Sequence, residues 1–429
     1  MSNAALQQWL QRLESIHPNA VELGLERVST VANKLGILPV KQPVVTVAGT
    51  NGKGSTVAVL EALLEESGRT TGTFTSPHFL RFNERIRVGS SEASDSDIVT
   101  AFADIDRARE DISLTYFEFA TLAALLVFRE ANPDVVILEV GLGGRLDSVN
   151  IVDPTVAVIT SIDLDHQEWL GNSRGEIARE KAGIVRKDAP VVIADPSPPP
   201  QLMECVSAAG AAPVLCLGRD FTVTNTARAW QGVLWQGVGR QRVLPPQSAA
   251  ALLPENICAA LQAALLLGVD FSDEQLGRAL AAVCPVGRRQ LQQVAGRSYV
   301  LDVAHNPASV HKLHEYVVAT PCKGKNIALF SAMGDKDLRA MIQAAAGAFD
   351  AWFIADQPGN ERAATAADIA DVLRDNEQHM ISVSRNLRQG FRRAQSIMAE
   401  GDRLVVFGSF HTVAAVLPLL AKDCGKGEA

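Results

Sequence analysis

What this chain lacks removes several classes of protein at once. It has no C-x-x-C pair. Its six cysteines (Cys205, Cys216, Cys258, Cys284, Cys322 and Cys424) are widely scattered, which excludes a cysteine zinc site and predicts free thiols in a reducing cytoplasm. It has no apolar run of the roughly 18 residues that a membrane helix needs. The nearest approaches, Phe119–Phe128 and Ile257–Val269, are too short, so no membrane partner is expected. Positive charge is not in excess: 40 Lys and Arg face 48 Asp and Glu, for a net charge of −8, which argues against a nucleic-acid partner. The first turns, with Gln7, Gln8, Gln11, Arg12 and Glu14, contain no signal-peptide core, and cytoplasmic localisation is expected. No internal repeat or low-complexity tract is present. What remains is a chain of 429 residues, 47% of them hydrophobic, enough for a large core in two or three domains.

Apolar runs alternate with helical patterns from residue 44 onward. Strands are expected at 44–48, 70–74, 134–140, 155–160 and 190–194, with helices at 56–67, 95–110, 117–130 and 174–184. Such alternation predicts a parallel sheet covered by helices. Residues 1–43 read as a helical lead-in with a loop. The proline cluster at 195–200 reads as a rigid break, 213–245 as β-rich, and 255–267 and 272–283 as helices. Cys284-Pro285-Val286-Gly287 reads as a linker. A second alternation follows, with strands near 298–303, 326–332, 350–355 and 403–408 and helices near 308–319, 336–347, 365–375, 386–399 and 411–421, which predicts a second α/β domain.

The most informative stretch is Val44-Val45-Thr46-Val47-Ala48-Gly49-Thr50-Asn51-Gly52-Lys53-Gly54-Ser55-Thr56. A β-branched run, a glycine turn with a lysine and hydroxyls, and then a helical pattern make a phosphate cradle: backbone N–H groups point at the phosphates and the lysine neutralises them. The spacing departs from G-x-x-x-x-G-K-[ST], because Gly49 lies three residues before Gly52 and Gly54 separates Lys53 from Ser55. A second buried strand runs into Glu139 and the turn Gly141-Leu142-Gly143-Gly144-Arg145, where ligands of open α/β sheets sit. A dinucleotide fingerprint is excluded because Leu146 occupies its third glycine position. Thr160-Ser161-Ile162-Asp163-Leu164-Asp165-His166 brings two carboxylates and an imidazole to the next strand end, and His166 is a candidate metal ligand or acid/base. The Glu139 and His166 strand ends are expected to be neighbours. Thr75-Ser76-Pro77-His78 offers a hydroxyl to Mg²⁺. Lys181 reads, by its surroundings alone, as a surface lysine. Asp302-Val303-Ala304-His305-Asn306-Pro307 and Phe407-Gly408-Ser409-Phe410-His411-Thr412 end two strands of the second domain, and both are expected to face a cleft between domains.

Taken together, these segments resemble the folylpolyglutamate synthases, more narrowly the bifunctional bacterial dihydrofolate synthase/folylpolyglutamate synthase family within the Mur ligase superfamily. The likeness is carried by Gly49–Ser55, Thr75–His78, Leu138–Asp147, Leu164-Asp165-His166, Glu180–Ile184, Asp302–Pro307 and Phe407–Val413, and runs from about residue 20 to about 415. It implies an α/β fold with an N-terminal P-loop-containing ATPase domain over 1–285 and a C-terminal Rossmann-like glutamate-ligase domain over 288–429. It also implies an ATP-dependent amide ligase that joins L-glutamate to dihydropteroate, and to tetrahydrofolate and its polyglutamates, through an acyl phosphate. By resemblance, Thr50, Asn51, Gly52, Lys53, Gly54 and Ser55 hold ATP phosphates, and Asn256, Arg288 and Asp302 contact the nucleotide. Ser76, Glu139 and His166 match Mg²⁺ ligands, and Lys181 matches a lysine carboxylated by CO₂ that helps hold a second Mg²⁺. Mn²⁺ is expected to substitute, and a monovalent cation is a further candidate. Lys53, Lys181, His166 and His305 are the candidate catalytic residues, and His305 and Ser409 lie near the incoming glutamate. Glu22, Leu23 and Gly24, Thr115, Tyr116, Phe117 and Glu118, and Leu146, Asp147 and Ser148 are pterin candidates. The Ser76–Arg87 segment, with Phe79, Phe82, Arg81 and Arg85, is a candidate adaptable pterin loop. His411 departs from many relatives. A monomer is expected. Another Mur-type ligase should lack the Ser76-Pro77-His78 and Tyr116-Phe117-Glu118 segments, and a non-enzymatic ATP-binding regulator would have little use for Glu139, His166, Lys181 and His305 together.

Overall fold

The structure is a computed structural model that describes residues 4–17, 19, 21–226, 229–248, 252–294 and 296–424. The chain forms two compact units, residues 1–283 and 284–429.

In the first unit, one sheet has eight strands, with β-branched runs at its centre: β1 (Val44–Ala48), β2 (Thr71–Phe74), β3 (Ile86–Val88), β4 (Ser91–Glu92), β5 (Val135–Glu139), β6 (Val156–Ile159), β7 (Val191–Ile193) and β8 (Val214–Cys216). Their order across the sheet is β4-β3-β2-β5-β1-β6-β7-β8. All pairings are parallel except the hairpin edge of β2, β3 and β4. β1, β5 and β6 are buried along their whole length, as a sheet covered on both faces demands. One face packs on the helices Glu26–Lys34, Asp95–Arg109 and Tyr116–Ala131. The other packs on Lys53–Glu66 and Pro254–Leu266.

The proline cluster at 195–200 lies inside the first unit. Pro200 opens the helix Pro200–Ala209, and β8 then adds to the same sheet. A small antiparallel sheet follows, built from β9 (Thr222–Asn225), β10 (Ala229–Trp235), β11 (Gln241–Val243) and β12 (Gln247–Ser248). The short β3–β4 hairpin was not expected from the sequence; arginines and glycine interrupt its apolar pattern.

The second unit has β13 (Gln290–Val294), β14 (Arg297–Leu301), β15 (Asn326–Phe330), β16 (Ala351–Ala355), β17 (Ile381–Ser384) and β18 (Arg403–Phe407), in the order β13-β14-β18-β15-β16-β17. All pairings are parallel except β13 with β14. β18 returns to lie between β14 and β15, so the loops after β14 and β18 emerge side by side. No described helix is long and apolar enough to cross a membrane. The five cysteines with described side chains are free; the side chain of Cys424 lies outside the described residues.

Candidate active site

The chain leaves β1 towards β5 and β2 on one side, and β6 begins the other side, so the loop after β1 opens at a switch in strand order. Gly49 has φ +152, and a Cβ there would stand 1.7 Å from Thr160 Oγ1, so the close approach of β1 to the β6 exit requires glycine. Two-way bonds tie the loops: Thr50 Oγ1 donates to Asp163 O at 3.1 Å and accepts from Asp163 N at 3.0 Å. Thr160 Oγ1 donates to Asn51 O at 2.8 Å. Gly52 has φ +96, and a Cβ there would meet Asn256 Oδ1 at 2.4 Å, so Asn256 packs against the phosphate loop from the helix Pro254–Leu266. Lys53 is the first residue of the helix Lys53–Glu66 and is half-buried rather than exposed. Its ammonium donates back to Gly49 O at 2.9 Å and Thr50 O at 3.3 Å. Gly54 and the buried Ser55 continue the first turn.

Glu139 ends β5, buried, and accepts from Ser76 N at 3.2 Å. The Glu139 and His166 strand ends, expected to be neighbours, are not adjacent. β1 lies between β5 and β6, so the two groups flank the phosphate loop from opposite sides. Crossover connections insert strands out of chain order, and that is invisible in a local pattern. His166 has φ +51, a left-handed conformation uncommon for a residue other than glycine. Its Nε2 lies 4.0 Å from Asp165 Oδ2, and Asp165 Oδ1 accepts from His166 N at 2.9 Å. The turn is braced by Asp195, which the sequence reading missed. Its carboxylate accepts from Ile162 N at 2.7 Å and from Arg174 Nη2 at 3.1 Å.

Lys181 is buried, not a surface lysine. The helix Arg174–Ala182 that carries it packs so tightly on the glycine turn that a Cβ on Gly144 would meet Glu180 O at 2.8 Å and Lys181 Cα at 3.1 Å. Burial pushes the Lys181 ammonium down to about 7, and the charge of Lys53 pushes the same way against the opposing pull of Asp165, Asp147 and Glu180. An amine this close to neutrality can add CO₂. The Glu139 carboxylate, the Ser76 hydroxyl and a carboxylated Lys181 would offer oxygen donors that suit a hard divalent cation, and the His166 imidazole would let a softer ion such as Mn²⁺ substitute. Among the described residues, no group of three His, Cys, Asp or Glu side chains could hold a metal by itself.

The pterin candidates divide. Thr115 and Glu118 form a capping box on the helix Tyr116–Ala131, and Glu118 also accepts from Arg27 at 3.2 Å, so both serve the fold. Arg27 pairs in turn with Glu22. Gly24 N lies 3.4 Å from Leu146 O, which joins the lead-in to the glycine turn, while Leu23 is half-buried beside it. The Phe117 ring lies where a Cβ on Gly141 would stand 2.5 Å from its Cζ. Ser148 Oγ bonds Thr121 Oγ1 at 2.6 Å. Asp147 is buried, which pushes its carboxyl up to about 6 against the amides of Leu142 and Val149 and the charge of Lys53. In the candidate loop, Phe82 is core, edge-on to Phe102 and Tyr116, rather than a free stacking ring. Arg85 donates its Nε to His78 Nδ1 at 2.8 Å and lies 5.5 Å from the Tyr116 ring centroid. Phe79 is half-buried, and Arg81 is exposed and pairs with Glu92.

In the second unit, buried Asp302 accepts from Ala304 N at 2.7 Å and Arg289 N at 2.9 Å. Burial raises its carboxyl, opposed by Arg288 and Arg289. Arg288 lies over the Phe410 ring at 5.1 Å. His305 Nδ1 is 2.8 Å from Val303 O; a carbonyl only accepts, so Nδ1 carries a proton and donates it there. Ser409 is buried and accepts from Thr412 N at 3.1 Å, which makes it a helix cap. His411 is lowered by burial and by Arg362.

A glycine phosphate loop at a sheet switch point, flanked by buried acids and a near-neutral lysine, and followed by a separate α/β unit, defines an ATP-dependent ligase of the Mur type. Residues 47–210 match the Mur ligase middle domain, and residues 287–410 match the Mur ligase glutamate ligase domain. The chain is 39% identical over 416 residues to the dihydrofolate synthase/folylpolyglutamate synthase of Escherichia coli (strain K12), covering 97% of this chain and 95% of that protein. It is 37% identical to that of Haemophilus influenzae, covering 96% and 97%. Escherichia coli FolC in complex with DHPP and ADP superposes with a TM-score of 0.91 at 38% identity, covering 97% and 98% of the two chains. A bifunctional folylpolyglutamate synthase/dihydrofolate synthase with Mn, AMPPNP and L-glutamate bound gives 0.88 at 38% identity, covering 98% and 100%. The chain belongs to the dihydrofolate synthase/folylpolyglutamate synthase family.

Proposed function

We propose that this chain adds L-glutamate to dihydropteroate, forming dihydrofolate, and to reduced folates, lengthening their glutamate tails, with ATP and a divalent metal. The observation that carries the reading is the phosphate loop held between the Glu139 and His166 strand ends, with buried Lys181 sharing its electrostatic field. The substrate carboxylate attacks the γ-phosphorus of ATP and ADP departs. The glutamate nitrogen then attacks the acyl carbon, phosphate leaves and the amide remains. Lys53 and the loop N–H groups hold the phosphates in line and offset the charge that spreads over them in transfer. When bound, the divalent ion supplies further neutralisation of phosphate oxygens, and Ser76, Glu139, His166 and carboxylated Lys181 are the residues that would hold it. His305, its ring oriented by the Nδ1 contact to Val303 O, takes the proton from the attacking amine at Nε2. Asn256, Arg288 and Asp302 orient the nucleotide. The pterin role is assigned to Glu22, Leu23, Gly24, Tyr116, Phe117, Leu146 and Asp147. Ser409 acts by fixing the helix beside the glutamate rather than by direct contact. The enzyme works as a cytoplasmic monomer; its free thiols suit that compartment.

Glutamate-dependent ADP release tests the reading, measured separately with dihydropteroate and tetrahydrofolate. ADP release that needs ATP, metal, glutamate and a pteroate acceptor supports it. Release indifferent to glutamate, or absent with both acceptors, overturns it.

A further inference from the structure

The loop Ser76–Arg85 is not loose. Its base is closed by Thr75 N donating to Arg85 O at 2.9 Å. The Glu84 carboxylate turns inward and accepts three successive amides, Phe79 N at 2.7 Å and Leu80 N and Arg81 N at 2.8 Å each. One guanidinium then fastens this unit to the rest. Arg87, on β3, grips Glu61 with Nε at 3.0 Å and Nη2 at 2.7 Å. Its Nη1 donates to Thr75 Oγ1 at 3.2 Å and Glu84 O at 3.0 Å. Glu61 is 7% exposed and stands two turns into the helix that Lys53 opens. A single planar fork therefore bonds the phosphate-loop helix, the exit of β2 next to Ser76, and the closing turn of the loop. The Arg87 side chain is part-buried, and an ion pair withdrawn from water is seldom the best way to stabilise a fold, since apolar residues of similar volume do as well. What it adds is fixed geometry, because a bidentate fork holds its partners in one orientation.

We propose that Glu61 and Arg87 are a positioning pair. They hold the Ser76–Arg85 loop, which packs through Phe82 and Arg85 on the pterin candidate Tyr116, in register with the phosphate loop. The pair touches neither ATP nor the reacting carboxyl. The phosphate loop has its own supports in Thr160, Asp163 and Asn256. Ser76 keeps its own tie to Glu139, so loss of the pair is felt by the pteroate acceptor more than by the nucleotide.

This inference rests on the ligase reading, and steady-state kinetics with dihydropteroate, ATP and glutamate separates the two. An inactive wild type overturns the ligase reading itself. With an active wild type, Arg87→Lys keeps the charge but loses the fork, and Glu61→Gln loses the charge but keeps the shape. Each is expected to raise KM for dihydropteroate about tenfold while KM for ATP stays within about twofold. The double variant should be no worse than the worse single, because the two residues act as one contact. Glu84→Gln leaves the Glu61–Arg87 pair in place and should raise the dihydropteroate KM in the same direction, since an amide oxygen replaces a carboxylate that serves three amides. It carries the test if the pair variants do not fold. A lowered melting temperature with both KM values unchanged, a KM for ATP rising in parallel, or an unaltered Glu84→Gln enzyme would overturn the proposal.

Discussion

Two lysines with opposite duties share one field. Lys53 is bonded to two loop carbonyls of its own phosphate cradle, and Lys181 is buried a short electrostatic reach away. Lys53→Ala removes a preorganised cation from the phosphoryl group in its transition state. Turnover should fall by ~10²-fold or more with the far-ultraviolet spectrum unchanged; activity within a few-fold of wild type would refute the role. For Lys181 the sign of the pH effect follows from its depressed pKa. Between about 7 and 10.5 the unfolded chain binds the proton and the folded one does not, so stability rises with pH across that window; below about 7 the full cost of burying the ammonium applies. Lys181→Met should therefore stabilise the metal-free protein more at pH 6 than at pH 9 by chemical denaturation. The same substitution should abolish turnover. In the unmutated enzyme, stripping CO₂ should depress activity and bicarbonate should restore it; indifference to CO₂ would count against carboxylation. The depressed pKa was not legible in the sequence, because burial of Lys181 comes from Gly144 and Gly183 letting the turn close on its helix.

At the level of elements, local signals were read well where one residue serves one purpose and badly where it serves two. The phosphate loop and the strands that bear Glu139 and His166 were legible because β-branched runs, glycines and helical periodicity all agree there. β3 and β17 were missed, since three or four residues of broken alternation carry too little pattern. Thr115 and Glu118 show a second duty that the sequence did not display. They lie in a segment marked for pterin, yet their side chains complete a capping box. Thr115→Ala should cost about 1 kcal/mol of stability, the usual value of a lost N-cap. KM for dihydropteroate should change less than twofold. A tenfold rise in KM without loss of stability would return Thr115 to the pterin surface. Asp195 had no signal beyond a single acid before prolines; only the fold brings its carboxylate to Ile162 N.

For the whole molecule, what the sequence hid is order in space. Chain order would put β5 beside β6, but the crossover seats β1 between them, so the glycine loop lies on the midline, with the Glu139 strand end on one side and the exit of β6 towards His166 on the other. The second unit repeats the device, with β18 inserted between β14 and β15, which sets the His305 and Ser409 loops side by side. One phosphate site and one amine-binding site can serve two acceptors, because both reactions pass through an acyl phosphate and use the same nucleophile. The acceptors differ in where the activated carboxyl lies: on the benzoate of dihydropteroate, or on a glutamate side chain of a folate. The purified enzyme should therefore turn over both dihydropteroate and tetrahydrofolate, with the same KM for ATP in each reaction to within about twofold, since the nucleotide contacts are common to both. The acceptors should compete, each inhibiting the other's reaction with an inhibition constant near its own KM. Steady-state assays at saturating ATP and glutamate decide the matter. Turnover of tetrahydrofolate alone would leave a single-function polyglutamate synthase, and two active acceptors that do not compete would require separate sites.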